Sequence, residues 1–536
     1  MDSHVVADQS AVFDLLAAPQ TYGSAEPVTR IDTHGAVVFL VGEDAYKVKR
    51  AVAFPFMDFS TLAKRHAACE REVVLNRRHA PDLYLGVIPI YSTATGLRFG
   101  GAAGAGDTAI EFAVHMRRFD ESQTLDLLAA KGLAPDLLAD LAMRLAAAHA
   151  QAEPCPTWDS PGALLRIAGE NAADFAACPE VFPAARAAAL DLATRRALER
   201  CNSLLERRSA RGLVRRCHGD LHLGNIVRIE GRPVLFDAIE FNDAIATCDV
   251  LYDLAFLLMD LWERGLHEAA NLVFNRYLWA ADRDDDYEGL AGLPLFMSLR
   301  AAIRAKVIGA GIGHLPADRR SAATTRVLRY FALAEHFLET PPARLVAVGG
   351  LSGTGKSTVA AALAPHLDAA PGAALLRSDV ERKRMNGLAE TERLAPEHYT
   401  QAKTVAVYAR MRARAELALR AGHSVVADAV HARPQERDAI EATARLVGAD
   451  FQGVWLSAPI HLLKQRVDAR RNDASDATSA IVEAQSSYDL GPIGWRKVDV
   501  SAGAAEVARR VMIDLDLAGP KPVNTRCQPQ PSDPRP

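Results

Sequence analysis

The octapeptide GLSGTGKS at residues 350–357 decides the fold of the C-terminal half of this chain, because it matches the pattern G-x-x-x-x-G-K-[ST]. In this pattern the glycines let backbone N–H groups surround phosphate oxygens, the lysine neutralises the β- and γ-phosphates, and the last hydroxyl can bind Mg²⁺. The motif predicts phosphate contacts from Gly350, Ser352, Gly353, Thr354, Gly355, Lys356, Ser357 and Thr358, with Ser357 also a metal ligand.

The flanking sequence favours the strand–loop–helix arrangement that such a loop requires. Leu345–Val348 is a short apolar run of the kind that forms a buried strand, and Val359, Leu363 and Leu367 recur at every fourth position, as on one helix face. A helix that begins at the loop directs its N-terminal N–H groups at the bound anion. The alternative, a glycine-rich turn that matches by chance, does not account for these flanks.

The length and composition of the chain limit the class of protein. A chain of 536 residues is too long for one core, so we expect two or three domains. The composition is that of a soluble globular protein, and the net charge of −4 gives no overall attraction to nucleic acid or to an anionic membrane. The N-terminal residues lack a signal-peptide pattern, and no apolar run is long enough to span a bilayer. The seven cysteines include no C-x-x-C, so we expect a cytoplasmic protein without a zinc site or a disulfide framework.

The N-terminal part begins with a predicted hairpin, formed by strands at residues 36–41 and 45–49, that places Lys47 and Lys49 on one face. Lysines on one face of a strand are often only its solvated side. Ala45-Tyr46-Lys47 is also similar to the V-A-I-K pattern of kinases, which favours Lys47 as a phosphate-pairing residue. A predicted helix at residues 63–78 carries Glu72 on an apolar stripe, where a carboxylate needs a partner. A lysine from the preceding strand could be this partner, and the choice between Lys47 and Lys49 stays open. The alternative that this segment is an ordinary surface helix, with no such ion pair, also stays open.

The segment CHGDLHLGNI at residues 217–226 is followed by a predicted strand pair that ends at Asp237. Asp220, Asn225 and Asp237 therefore follow one another along the chain, and phosphoryl transfer from ATP requires such a set of groups. One carboxylate orients or deprotonates the acceptor hydroxyl, while an amide and a second carboxylate hold Mg²⁺. The spacing from Asp220 to Asn225 matches the kinase pattern H-R-D-x-x-x-x-N, with Gly219 in place of the arginine.

At these residues the chain resembles the aminoglycoside phosphotransferase and choline kinase superfamily of protein-kinase-like enzymes, over roughly residues 20–335. The resemblance implies that Asp220 is the catalytic base, that Asn225 and Asp237 are metal ligands, and that Lys47 and Glu72 form the ion pair of the small lobe. The sequence departs from the family pattern after Asp237, where Ala238-Ile239-Glu240 follows, and no clear glycine-rich loop precedes Lys47. Glu240 therefore stays open as an alternative metal ligand.

Two further predicted strands, at residues 373–376 and 424–427, follow the phosphate-binding loop. The first leads into Asp379 and Arg382, and the second ends at Asp428, which is the Walker B pattern. Both carboxylates are expected at the C-terminal edge of a parallel sheet, where ligands bind in such folds. Arg466 and Arg470 lie four residues apart on one face of a predicted helix. This spacing is typical either of a lid that closes on phosphates or of a basic face exposed to solvent.

This half resembles the small-molecule and polynucleotide kinase branch of P-loop proteins, which includes gluconate-kinase-like enzymes, over about residues 344–515. The resemblance implies that Asp379 accepts the proton of the substrate. It further implies that Arg382 contacts the transferring phosphoryl group and that Asp428 positions substrate or metal.

The predicted architecture combines α/β and α+β classes in two domains. A protein-kinase-like, bilobal domain is expected at residues 1–340, and a P-loop NTPase domain with a parallel sheet at residues 341–518. Adjacent prolines at 341 and 342 follow a helical run and mark the boundary. A proline-rich tail at residues 519–536 is expected to be disordered.

The function expected from these features is a bifunctional, ATP- and Mg²⁺-dependent phosphotransferase with hydroxyl-bearing, sugar-like small molecules as acceptors. Antibiotic resistance does not follow, because the fold and the catalytic loop leave the acceptor open. The first alternative is a nucleotide-gated regulatory protein with one degenerate site. The second is a polynucleotide 5′-hydroxyl kinase in the C-terminal half, which the acidic net charge and the few aromatic residues in its lid disfavour. No membrane partner is expected.

Overall fold

The computed structural model describes residues 4–314, 316–367, 369–390, 392–469, 474–501 and 503–515. The chain forms two compact units. The first comprises the chain up to Trp158 together with Arg211–Leu257, and the second comprises Asp159–Ala210 and the chain from Leu258 onwards. Within the described residues, none of the helices combines the length and the apolarity needed to cross a lipid bilayer.

Seventeen strands lie within the described residues. In chain order they are β1 (Thr29–Asp32), β2 (Ala36–Val41), β3 (Asp44–Lys49), β4 (Ala53–Phe54), β5 (Met57–Asp58), β6 (Tyr84–Thr93), β7 (Gly96–Phe99), β8 (Thr108–Arg117), β9 (Val214–Arg216), β10 (Ile226–Ile229), β11 (Arg232–Leu235), β12 (Thr247–Asp249), β13 (Arg344–Gly350), β14 (Ala374–Arg377), β15 (Val425–Asp428), β16 (Asp450–Ser457) and β17 (Arg496–Asp499).

Nineteen α-helices lie within the same described ranges. In chain order they are α1 (Ser10–Ala17), α2 (Leu62–Asn76), α3 (Leu125–Leu128), α4 (Pro135–Gln151), α5 (Ser160–Ala177), α6 (Ala184–Ala210), α7 (Asp243–Ala246), α8 (Val250–Glu263), α9 (His267–Ala281), α10 (Asp284–Gly289), α11 (Leu293–Gly311), α12 (Ala317–Phe337), α13 (Lys356–Leu363), α14 (Ser378–Arg384), α15 (Gln401–Arg420), α16 (Pro434–Val447), α17 (Ile460–Asp468), α18 (Ser479–Ser486) and α19 (Ala504–Asp514).

The first unit is built on an antiparallel six-stranded sheet with the order β1-β2-β3-β8-β6-β7. The predicted hairpin is confirmed, since β2 and β3 pair antiparallel with Val38 opposite Lys47. Tyr46 and Val48 belong to a core cluster with Phe39. Because successive side chains of a strand point to opposite faces, Lys47 and Lys49 lie on the other face of the sheet.

The second unit contains a parallel five-stranded sheet with the order β14-β15-β13-β16-β17. The predicted strand–loop–helix is confirmed, because β13 ends at Gly350 and α13 begins at Lys356. Val346 and Val348 of β13 pack with Val359 and Leu363 of α13 in one buried cluster. Residues 350–355 thus lie at the C-terminal edge of the sheet. The predicted combination of α+β and α/β architectures, with a parallel sheet in the P-loop half, is confirmed.

Helix α9 covers β14, the edge strand of the parallel sheet, through side chains that bond to the backbone of this strand and of the residues just before it. Asn271 donates its amide to the carbonyls of Pro371 and Ala373, at 3.0 and 3.1 Å. Asn275 accepts the N–H of Leu375 at 2.7 Å, and the indole of Trp279 donates to the carbonyl of Leu375 at 2.9 Å. Backbone groups of an edge strand need such partners when they are buried.

A charge cluster around the buried Arg414 also joins α15 to α14 and to the chain that follows α9. The guanidinium of Arg414 lies 2.9 Å from Glu381, 2.7 Å from Asp282 and 2.9 Å from Asp284. The boundary at residues 340–341 stays a prediction, and within the second unit these contacts connect residues on both sides of it. The predicted tail at residues 519–536 lies outside the described residues.

We expect Arg414→Met to lower the free energy of unfolding by about 3 kcal/mol, because Glu381 would stay buried without its main partner. Both side chains are only 1% exposed, and Glu381 would keep a single 3.3 Å contact with Arg410. Arg420→Met is the matched control on the same helix, since Arg420 pairs with Glu416 at the surface and its loss should change stability by less than about 1 kcal/mol. Equal unfolding midpoints in urea for the two variants would contradict this prediction.

Candidate active sites

The face of the first sheet that carries the two lysines holds a buried cluster of charges. The ammonium of Lys47 lies 2.8 Å from one carboxylate oxygen of Glu72, which is 0% exposed. Lys49 forms an ion pair with the other oxygen of Glu72 and a second one with Glu240. The sequence left open which of the two lysines pairs with Glu72. In the structure both do, each through a different carboxylate oxygen.

Lys47 also reaches the end of the predicted catalytic hairpin, where its ammonium lies 2.6 Å from Asp237. Burial alone would lower the pKa of Lys47, but the carboxylates of Asp237 and Glu72 outweigh it and hold that pKa well above its usual range. Desolvation acts to raise the pKa of Asp237, and Lys47 overcomes this and lowers it below its usual value. Both groups are therefore charged at neutral pH.

The backbone at Asp237 is held in an uncommon conformation. Its φ is +60°, in the left-handed region that non-glycine residues rarely adopt. Its N–H donates to the hydroxyl of Tyr84 at 3.0 Å, and the next N–H, of Ala238, donates to the side chain of Asn76 at 2.8 Å. Such strain persists only where neighbours enforce it, and it is typical of functional positions.

The predicted catalytic loop is closed by hydrogen bonds within itself. The amide of Asn225 donates to the carbonyl of Asp220 at 2.9 Å and to its carboxylate at 3.0 Å. His222 is a further residue of this loop, not among those predicted for the site. Its Nε2 lies 3.4 Å from the Asp220 carboxylate, and its Nδ1 accepts the N–H of Gly224 at 3.0 Å. The sequence signal for His222 was its position two residues after Asp220.

Asp253 of α8 binds the backbone at the start of this loop. It accepts the N–H of His218 at 3.3 Å and the N–H of Gly219 at 2.9 Å, and it contacts the Nε2 atom of His149 at 3.1 Å. Gly219 has a φ of +86°, and a Cβ there would lie 3.0 Å from the Cβ of Ala246. The glycine that replaces the kinase arginine is therefore required by the local packing.

The donor set of the first unit suits a divalent cation. Asn225 offers an amide oxygen, and Asp237 offers a carboxylate that is 42% exposed, and Mg²⁺ prefers such hard oxygen ligands. The cluster combines the two lysines with three carboxylates, those of Glu72, Asp237 and Glu240, so it carries one excess negative charge. Burial raises the pKa of Glu240, which Lys49 opposes.

The phosphate-binding loop of the second unit has the shape that its glycines permit. Gly350 and Gly353 have φ values of +140° and +87°, and a Cβ at either would lie 2.5 Å from a backbone carbonyl oxygen, of Leu456 and Leu463 respectively. Lys356 donates to the carbonyl of Leu351 at 3.1 Å. Ser357 and Thr358 occupy the first turn of α13, and Thr354 donates to the Leu351 carbonyl at 2.8 Å.

The two predicted carboxylates of this half lie at neighbouring strand ends. Arg377, the last residue of β14, is opposite Asp428, the last residue of β15, and its Nε lies 3.3 Å from the Asp428 carboxylate. The pKa of Asp379 is raised, first by burial and then by Asp428, while Arg377 and Lys356 act against this. The structure thus brings Asp379, Asp428 and Lys356 into one electrostatic environment.

The predicted arginines are engaged in bonds to the chain. Arg382 donates to the carbonyl of His398 at 3.0 Å and to the hydroxyl of Thr404 at 3.3 Å. Arg466 donates to the carbonyl of Val500 at 2.7 Å. Arg470 lies outside the described residues. A further loop contact, which the sequence gave no reason to expect, is made by Gln485 of α18, whose side chain accepts the N–H of Ser352 at 2.8 Å.

The fold and the loop define the class of the second unit as a P-loop domain, and residues 345–488 match the AAA domain family. The resemblance predicted for this half is thereby confirmed. Over 478 residues the chain is 31% identical to the "Uncharacterized protein Rv2004c" of Mycobacterium tuberculosis (strain ATCC 25618 / H37Rv), with 86% of this chain and 90% of that protein covered. The identity and both coverages are the same for "Uncharacterized protein Mb2027c" of Mycobacterium bovis (strain ATCC BAA-935 / AF2122/97). The chain belongs to the family of these mycobacterial proteins.

Solved structures similar to the two parts of the chain include two kinases. A gluconokinase from Sinorhizobium meliloti 1021 is 23% identical, with a TM-score of 0.23 and coverage of 33% of this chain and 92% of that one. A choline/ethanolamine kinase family protein from Mesorhizobium loti is 15% identical, with a TM-score of 0.38 and coverage of 61% and 94%.

Proposed function

We propose that this protein is an ATP-dependent phosphotransferase with two kinase-type sites, each of which transfers the γ-phosphate of ATP to a hydroxyl group of a small-molecule acceptor. The observation that carries this proposal is the position of Lys47. Its ammonium contacts both Glu72 and Asp237, which are 165 residues apart in the chain. The predicted ion pair and the predicted metal ligand therefore lie at one place in the first unit. A P-loop with two nearby carboxylates supports the second site.

In the first site Asp220 accepts the proton of the acceptor hydroxyl while the oxygen attacks the γ-phosphorus and ADP leaves. Asn225 and Asp237 would hold Mg²⁺, which supplies positive charge to the phosphates when it is bound. Asp237 is a better candidate ligand than Glu240, because Asp237 is partly exposed whereas Glu240 is buried against Lys49. Lys47, fixed by Glu72, neutralises phosphate charge.

In the second site the backbone of residues 350–357 and Lys356 bind the phosphates of ATP, with Ser357 and Asp428 as the residues that would hold Mg²⁺. Asp379 is proposed as the base, since burial and Asp428 raise its pKa and so make it a stronger proton acceptor than an ordinary aspartate. Arg382 would have to exchange its bonds to His398 and Thr404 for phosphate oxygens, so Lys356 is the stronger candidate for contact with the transferred group.

Free thiols at six described cysteines support a location in the cytoplasm.

ADP release by the full chain, measured with sugars, nucleosides and oligonucleotides as acceptors, tests the proposal. We expect release that depends on a small hydroxyl compound and on Mg²⁺. Release only with oligonucleotides would show a polynucleotide kinase instead. Nucleotide binding without acceptor-dependent release would identify a regulatory protein and overturn the proposal.

A further inference from the structure

His431 lies three residues beyond the end of β15, beside the phosphate-binding loop. The carbonyl of Val430 accepts the N–H of Gly350, the first glycine of that loop, at 3.1 Å, which fixes this segment against it. His431 itself has a φ of +48°, in the left-handed region, and its N–H donates to the hydroxyl of Tyr408 at 3.1 Å. A strained residue held next to a ligand-binding loop is typical of a functional position.

The imidazole of His431 is buried without polar partners. The residue is 1% exposed, and neither ring nitrogen has a hydrogen-bond partner within the part of the chain that the structure describes. The ring is contacted edge-on by Tyr408 and Trp495, with centroid distances of 5.5 and 5.2 Å. Buried polar groups are nearly always paired, so two unpaired nitrogens on one ring require an explanation.

The bond from Gly350 to Val430 holds His431 one residue from the phosphate-binding loop, and the charge of Lys356 in that loop acts on the imidazole. Burial first, and then the charges of Lys356, Arg437 and Arg412, together lower the pKa of His431 to about 3. The ring is therefore neutral and offers one donor and one acceptor. Burial and Glu436 raise the pKa of the Tyr408 phenol, which binds the His431 backbone, and the carboxylate of Asp379 adds to this.

The guanidinium of Arg437, which lies near His431, is bound to backbone carbonyls and is not placed to bind an anion. Its guanidinium donates to the carbonyls of His431 and Ala432, at 2.9 and 2.8 Å, and to those of Leu490 and Pro492, at 2.6 and 3.0 Å. Through these four bonds Arg437 holds the segment at residues 431–432 against the segment at residues 490–492. The two unpaired nitrogens of His431 belong to an uncharged ring.

We propose that His431 hydrogen-bonds the acceptor of the second site, and that this acceptor is an uncharged polyhydroxy compound. One hydroxyl would accept the imidazole N–H, and a neighbouring hydroxyl would donate to the other nitrogen. The proposal rests on the proposed kinase function of this half and adds to it the residue that selects the substrate and the chemical class selected.

His431→Phe separates this role from a structural one, because it keeps an aromatic ring against Tyr408 and Trp495 and removes both nitrogens. We expect the melting temperature of the full chain to stay within about 3 °C of wild type or to rise, since no paired polar group is lost. With the acceptor that supports ADP release, kcat/KM should fall by about 10- to 100-fold, as expected for two lost hydrogen bonds, while the KM for ATP changes less than about twofold.

His423→Phe is the matched control, since His423 is equally buried but its Nε2 bonds to the carbonyl of Gly372 at 2.9 Å. We expect this variant to melt at a lower temperature than wild type and to keep its kcat/KM. A stable His431→Phe protein with unchanged kcat/KM would overturn the proposal.

A binding measurement keeps the proposal testable if His431→Phe does not fold. The ring ¹⁵N resonances of histidine-labelled full chain with Mg²⁺ and ADP are recorded with D-glucose, D-ribose, glycerol, myo-inositol and adenosine, and His431 is assigned through His431→Gln. A shift of the His431 resonances with at least one compound supports the proposal. Resonances that stay unmoved, including with an acceptor that supports ADP release, overturn it while the kinase function stands. A shift without any ADP release overturns the kinase function alone.

Discussion

Lys356→Ala is expected to abolish nucleotide use in the C-terminal half while the N-terminal half keeps its activity. Lys356 begins α13, and its ammonium reaches back over the loop to the carbonyl of Leu351, 3.1 Å away. A bound triphosphate would place its β- and γ-oxygens in this loop, where the ammonium supplies the compensating charge. Losing the ammonium removes ATP binding at this site, in addition to the factor of about 10²–10³ in turnover that one preorganised group contributes.

ATP binding by equilibrium dialysis and ADP release with each acceptor check this prediction. Wild type should bind about two ATP per chain and Lys356→Ala about one, because each unit has its own phosphate-binding set. Lys497→Ala, which removes an exposed lysine from β17 of the same sheet, is the matched control and should behave as wild type. Loss of both activities in a folded Lys356→Ala protein would contradict the independence of the sites.

Local patterns in the sequence predicted the elements that carry these sites. The apolar run at residues 345–348, the alternation around Lys47 and the spacing from Asp220 to Asn225 each depend on neighbours within about ten residues, and the corresponding strand, hairpin and loop are present. Periodicity of this kind is set by the backbone geometry of helices and strands, so it can be read without knowledge of the tertiary fold.

Contacts between residues far apart in the chain could not be predicted in this way. Lys49 and Glu240 are 191 positions apart, and their ion pair depends on how β3 and the chain after β11 pack together. The same holds for the bonds from Asn271 to the residues just before the edge strand, 100 and 102 positions away. Apolar spacing shows which face of an element is buried, but it does not identify the element that covers it.

Asp220→Asn is expected to suppress phosphoryl transfer in the N-terminal half far more than it weakens ATP binding. The amide keeps the size of the side chain and removes its capacity to accept a proton. General-base contributions are typically about 10²–10⁴-fold, so turnover should fall by about that factor. Some loop structure should survive, because the bond from Asn225 to the Asp220 carbonyl does not involve the changed group.

Asp237→Asn is the informative comparison, because Asp237 and Asp220 are proposed to do different work. The carboxylate of Asp237 binds Lys47 and is partly exposed, as a metal ligand needs to be. Its loss should raise the Mg²⁺ concentration required for half-maximal turnover, whereas Asp220→Asn should leave that concentration nearly unchanged. Titrations of ATP and Mg²⁺ on both variants, with the acceptor found by the ADP-release screen, distinguish the two effects. Near-normal turnover in Asp220→Asn would remove it as the base and direct attention to Glu240 or to a domain that only binds nucleotide.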